Sequence, residues 1–263
     1  MPDQVPTRPV TAPARVVLIG AGGLGCAVAP VLAAAPIPLC VEVVDDDVVE
    51  VGNLHRQVLH RSDGASTAKA PSLAGAITRL AAGRGATARA TVTRFTADNA
   101  RALCAGAAVV IDGSDNYATR FLANDACVLE GVPLVHAASI RWQGQVLAID
   151  PRRGGPCYRC LFEAPPDAAA GHSCAEAGVF GPVCGVVGAL AAEAALDLLA
   201  GRSPYLQEGG LPLGQLLVYD GLGASDPGAT RVVRFRKNPS CIACGQAPLV
   251  ELLPLVAYEV PAC

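Results

Sequence analysis

The stretch from Val16 to Lys69 constrains the fold more than any other part of the chain. An apolar run, Val16-Val17-Leu18-Ile19, leads into Gly20-Ala21-Gly22-Gly23-Leu24-Gly25 and then into an alanine-rich segment reaching Ala35. A second apolar run, Leu39 to Val44, ends in Asp45-Asp46-Asp47. Continuously apolar runs of this length read as strands buried on both faces. Gly20, Gly22 and Gly25 match the pattern GxGxxG. Its first glycine permits a tight turn, its second lets the backbone approach phosphate, and its third lets the helix pack closely. The helix N-terminus then offers free N–H groups and a favourable dipole to an anion. Asp45 comes about 20 residues later, where a ribose hydroxyl is held. Strand, phosphate-cradling turn, helix, strand and acidic residue together specify a nucleotide site in an α/β fold.

The residues downstream of Asp45 exceed the needs of simple dinucleotide binding. Asp47 is one extra carboxylate, and Asn53, Arg56 and Gln57 cluster in a polar loop. Lys69 falls in the first turn of a helix read over 66–82. A cation there opposes the helix dipole, a cost that a lysine facing phosphate explains. A strand over 108–112 ends in Asp112-Gly113-Ser114-Asp115-Asn116. Ligands of open α/β sheets sit beyond the carboxyl ends of the strands, and an acidic residue there can hold a magnesium ion that bridges phosphates. Helix capping by Ser114 or Asp115 is the structural alternative. A helix over 116–130 carries Arg120 and Asn124 on one face. The rest reads as strands at 87–92 and 133–136, a short helix at 98–104, and a hairpin over 138–150 turning near Gln143-Gly144. A long helix over 183–200, opened by Gly181-Pro182, precedes two closing strands, 215–220 and 230–235.

The cysteines carry a second signal. Eleven are present, more than a chain of this length needs as a disulfide staple. Cys157-Tyr158-Arg159-Cys160 and Cys241-Ile242-Ala243-Cys244 form two CxxC pairs about 80 residues apart. Four thiolates from two such knuckles make a closed, tetrahedral and therefore structural zinc site. Cys174 lies in a small-residue loop over 164–177, where a thiol is accessible.

Charge and hydropathy exclude several classes. A net charge of −3 gives no basic footprint for nucleic acid or an anionic membrane. Residues 1–14 are polar and proline-rich, unlike a signal peptide, and read as a flexible leader. The longest apolar run, 183–200, is interrupted by Glu193 and Asp197, which suits a buried helix better than a membrane span. The cytoplasm is the expected location.

Taken in order, GAGGLG at 20–25, Asp45 with Asp47, NLHRQ at 53–57, Lys69, SDN at 114–116 with Arg120 and Asn124, CYRC at 157–160, CAEAGV at 174–179 and CIACGQ at 241–246 form one set. The set resembles the MoeB/ThiF/HesA family of sulfur-carrier-protein adenylyltransferases, kin of the ubiquitin-activating enzymes. It spans nearly the whole chain. The resemblance implies a Rossmann-like mixed sheet, largely parallel and flanked by helices, with a four-cysteine zinc knuckle. It implies one adenylation domain over 15–246 and a tail over 247–263 without a readable motif. It also implies ATP and magnesium, and a ubiquitin-like carrier whose C-terminal Gly-Gly carboxylate attacks the α-phosphate to give an acyl-adenylate and pyrophosphate. A thiocarboxylate forms later. By this resemblance Gly20, Gly22, Gly23 and Gly25 bind ATP, Asp45 binds ribose, Arg56 and Lys69 neutralise phosphates, Asn53 and Gln57 line their site, Asp115 holds magnesium beside Asn116, and Cys174 is a candidate reactive thiol.

The family's usual N-terminal arm, an Arg-x-x-Arg-Gln helix that lends an arginine to the neighbouring subunit of a homodimer, has no match here. Only Arg8 and Arg15 stand before Val16. The rhodanese module of some relatives has no match either, which implies a separate sulfur donor. Two alternatives stand beside the main reading. One is a non-catalytic or partner-dependent homologue that binds a ubiquitin-like protein. The other is a nicotinamide-dependent oxidoreductase, which leaves Arg56, Lys69, Asp115 and the paired cysteines without a role.

Overall fold

The structure, a computed structural model, describes residues 12–164, 178–202, 214–222 and 229–248. Eight strands form one sheet in the order β3-β2-β1-β4-β5-β6-β7-β8. They are β1 (Ala14–Ile19), β2 (Leu39–Val44), β3 (Ala86–Thr91), β4 (Val109–Asp112), β5 (Leu134–Ile140), β6 (Gln143–Ile149), β7 (Gly214–Asp220) and β8 (Ala229–Phe235). Strands β3 to β5 in this order pair in parallel, and β5 to β8 continue the sheet antiparallel. The expected mixed sheet with its parallel nucleotide half is present.

Helices cover both faces, as a parallel sheet requires. Helices α1 (Gly23–Ala33), α2 (Lys69–Ala81) and α6 (Gly181–Leu199) pack on one face. Helices α3 (Ala97–Cys104), α4 (Tyr117–Glu130) and the single turn α5 (Tyr158–Leu161) pack on the other. Along β1 the period of two divides the side chains. Val16 and Leu18 enter the core under α1 and α6, whereas Val17 and Ile19 enter the core under α4. Helix α6 is long and apolar enough to cross a membrane by composition, with a mean hydropathy of 1.7. Half of that span is buried in the protein, against α1, β5 and β6.

Two expectations change. The hairpin turns at Arg141-Trp142 rather than near Gln143-Gly144, and the strand expected to end at His136 runs on to Ile140. Gly144 is not a turn residue. It lies inside β6, where a side chain would come within 2.1 Å of the Val187 methyl on α6, so glycine there serves sheet–helix packing. Helix α2 starts at Lys69, three residues later than expected. Ser66 has a φ of 67°, and Ala68 bridges to Val48, so the backbone before Lys69 is not helical.

Candidate functional site

The strand order reverses between β1 and β4, the place where open α/β sheets bind ligands. The loops beyond these two strands touch there. Gly20, with a φ of 94°, sits so close to the β4 loop that a Cβ would lie 3.0 Å from the Gly113 carbonyl oxygen. Gly25 lets α1 rest on the turn, since a Cβ would lie 2.2 Å from the Gly20 oxygen. Above them opens a cleft of about 420 Å³.

The cleft brings together the residues singled out in the sequence. Gly20, Gly22 and Gly23 form its floor, and Asp45, Asp47 and Lys69 one wall. Asn53, Arg56 and Gln57 come from the loop after β2, and Asp115 and Asn116 from the loop after β4. Gly25 lies beneath the floor rather than in the lining. Arg120 lines the cleft, with its guanidinium over the Tyr117 ring. Asn124, one helical turn on, does not. It is buried, its amide oxygen accepts the Tyr158 N–H at 2.9 Å, and its amide group donates to Asp125.

Asp45 holds the turn as well as facing the cleft. Its two oxygens accept the N–H groups of Ala21 at 2.7 Å and Asp47 at 2.8 Å. Burial pushes its carboxyl above the usual range, and the two N–H donors and the Lys69 charge offset only part of that shift. Lys69 is buried along its length, and its Nζ meets Asp47 Oδ2 at 2.7 Å, an exposed carboxylate. The first residue of a helix therefore projects a cation whose partner lies on the cleft wall. Asp115 is exposed in the cleft. Asn116, not Ser114 or Asp115, caps α4, its side-chain oxygen accepting the Thr119 N–H at 2.8 Å. Among the described residues, Gln57 Oε1 and Ser114 Oγ are buried without a partner, and both residues line the cleft. Orphaned polar atoms in a cavity wall suit a polar ligand.

Sequence reasoning missed the layer beneath. Asp112 is fully buried. Its Oδ2 lies 2.8 Å from His136 Nδ1, and its Oδ1 accepts the Ser114 N–H. Burial opposes its charge, but the His136 contact and the Ser114 N–H outweigh burial and hold the carboxyl below the usual range. Cys184 of α6 and Ser139 of β5 also line the cleft and touch each other. Burial raises the Cys184 thiol. Arg94, in the loop beyond β3, adds a further cation to the lining. Only its place at a strand's carboxyl end could have marked it.

The two CxxC pairs meet. The four sulfur atoms lie within 4.8 Å of one another, with Cys157 and Cys241 3.7 Å apart and Cys160 and Cys244 3.4 Å apart. Tetrahedral thiolates at the usual Zn–S bond of about 2.3 Å stand roughly 3.8 Å apart, so the cluster fits that ion. Hydrogen bonds from Cys157 and Cys244, together with the Asn238 N–H, hold the Cys160 thiol well below its ordinary range. The knuckle is tied to α4 by a two-pronged Arg159–Asp125 pair, both bonds 2.8 Å and both residues buried.

Arg15 is an internal strut. Its guanidinium binds Glu42 and the carbonyl oxygens of Leu103 and Ala105, so it is no part of a reaching arm. Arg8 and Cys174 lie outside the described residues.

A family model described as the ThiF family matches residues 11–243. The chain belongs to the ThiF family. It is similar to the SAMP-activating enzyme E1 of Haloferax volcanii, 41% identical over 88% of this chain and 80% of that protein. It is similar to the sulfur carrier protein adenylyltransferase of Thermus thermophilus, 43% identical over 94% of this chain and 87% of that protein. The adenylyltransferase and sulfurtransferase MOCS3 of Mus musculus is 43% identical over 92% of this chain, but the chain spans only 50% of that relative. Its MOCS3 counterpart in Dictyostelium discoideum is likewise spanned over 53%. Among solved structures, E. coli MccB with ATP superposes with a TM-score of 0.70 over 88% of this chain and 67% of that one, at 19% identity. That last likeness concerns the fold.

Proposed function

We propose that this ThiF-family chain adenylates the C-terminal Gly-Gly carboxylate of a ubiquitin-like sulfur-carrier protein with ATP. A carboxylate oxygen of the carrier bonds to the α-phosphorus, the bond from that phosphorus to the bridging oxygen breaks, and pyrophosphate leaves. The product is an acyl-adenylate, from which a separate sulfur donor then displaces AMP to leave the thiocarboxylate. The observation that carries this reading is the convergence of Arg56, Lys69 and Asp115 on one glycine turn. A plain dinucleotide site needs neither the paired cations nor the carboxylate. The relatives' names support it.

Nucleotidyl transfer needs positioning and charge stabilisation more than a covalent catalyst. The glycine turn and the start of α1 receive the phosphates, Asp45 and Asp47 face the ribose side, and Asn53 and Gln57 line the phosphates. Arg56 and Lys69 offset charge on the leaving pyrophosphate. Asp115 and Asn116 offer oxygen donors suited to magnesium, which when bound supplies further charge neutralisation. The paired cysteines would hold zinc at a distance from the chemistry. A cytoplasmic homodimer is part of the same proposal, as is the Cys174 thiol acting after adenylation.

The test is carrier-dependent exchange of pyrophosphate into ATP, with magnesium and Gly-Gly-terminated carriers. Exchange that vanishes in Asp115→Ala supports the reading. Carrier binding without exchange would turn it to the partner-dependent homologue. Turnover of a nicotinamide cofactor with no response to ATP would end both.

A further inference from the structure

Two hydrogen bonds pin the peptide of Ala21 inside the glycine turn. Its N–H donates to Asp45 Oδ2, and its carbonyl oxygen lies 2.8 Å from His60 Nε2. A carbonyl oxygen only accepts, so Nε2–H is the donor in this contact. Ser72 Oγ lies 2.8 Å from Nδ1, and its hydroxyl holds the ring in place. His60 is only 6% exposed and is absent from the cleft lining. Ser72 sits one turn beyond Lys69 on α2. Lys69 returns to Asp47, whose N–H donates to Asp45 Oδ1. The contacts therefore close a ring through Ala21, Asp45, Asp47, Lys69, Ser72 and His60.

We infer that His60, oriented by Ser72, is a positioning residue for nucleotide binding. It fixes the Ala21 peptide, so that the amides beyond it keep their aim at the phosphates, and it couples the turn to the helix that carries Lys69. This rests on reading the cleft as an ATP site. The Cys26 thiol, 4.0 Å from the Ala21 oxygen, is too weak a donor to replace the imidazole. A leucine at position 60 would fill the space yet leave the carbonyl buried with only that weak donor. Glutamine would keep an N–H in reach.

The experiment measures ATP affinity by calorimetry, and KM and kcat in pyrophosphate exchange, for the full chain and for His60→Leu, His60→Gln and Ser72→Ala. Losing the donor should raise both Kd and KM for ATP about tenfold in His60→Leu, with kcat at saturating ATP within about twofold of the parent. His60→Gln should recover most of the affinity, and Ser72→Ala should fall between. Parental affinity in His60→Leu, or a glutamine variant as weak as the leucine one, would overturn the inference. If His60→Leu fails to fold, Ser72→Ala decides, and an unchanged Kd there overturns it. A parent protein that binds no ATP would remove the reading of the cleft and this inference together, whereas normal parental binding with an indifferent His60 removes only the inference.

Discussion

Among single residues, those that face the ligand were legible in the sequence and those that hold them were not. Asp45, Lys69 and Asp115 stand out because a charge beside a glycine turn or a strand end is unusual. His60 and His136 carry no such mark, and Asp112, though it ends β4, gives no sign of the histidine it meets. A buried histidine in an apolar run reads as an ordinary core residue until a partner from elsewhere in the chain meets it, and Asp112 meets His136 across 24 residues. The Asp112 pair has a pH signature. Because the folded carboxyl lies below its ordinary range, the stability it adds is fully present above the usual unfolded value of about 3.9 and is lost as pH falls through the lower folded value. Asp112→Asn should therefore melt well below the parent near neutrality, and the gap should narrow only as pH falls below about 4. Thermal melts across that range check it, and a gap independent of pH would contradict the assignment.

For elements, strand and helix identities came from apolar runs and the residues that bound them, and the errors came from tertiary contacts. Gly144 looked like a turn because glycine usually breaks a strand, yet its cause is Val187 on a helix more than forty residues away. Arg141-Trp142 turns the hairpin without typical turn residues. The turn is held by its neighbours instead, since Arg141 pairs with the chain at Gly178 and Phe180, and the Trp142 carbonyl accepts the Gly221 N–H. Helix α4 is set at its start by Asn116, which caps it and also lines the cleft next to Asp115. Asn116→Ala should cost about 1 kcal/mol of stability, the usual value of a lost N-cap. It should also weaken magnesium-dependent ATP binding more than that stability loss alone explains. Denaturant melts and titrations on the same variant separate the two effects, and an affinity equal to the parent's would confine Asn116 to capping.

For the whole molecule, the cysteine knuckle joins segments 84 residues apart in sequence and hangs on α4 through Arg159 and Asp125. Metal analysis should find one zinc per chain, and chelation at neutral pH should lower the melting temperature. A metal-free protein with an unchanged melt would rule out the structural ion. Arg159→Leu should be costly, about 3–5 kcal/mol, because it leaves the Asp125 carboxylate buried without its counter-charge. Equilibrium unfolding in denaturant measures that loss. The spacing of the CxxC pairs foretold this cluster, but nothing in the sequence foretold the salt bridge beneath it, since neither residue belongs to a motif that names the other.

The packing of α6 against α1 sets the order in which this protein can be put together. Every residue assigned to the nucleotide is encoded before β6, yet Leu24 and Val28 of α1 share their core with Val183, Val187 and Ala191 of α6. A fragment stopping at Asp150 would contain the complete ATP-binding vocabulary and still present a bare apolar helix to water. On the ribosome, the first half must wait for the second before it becomes a binding protein.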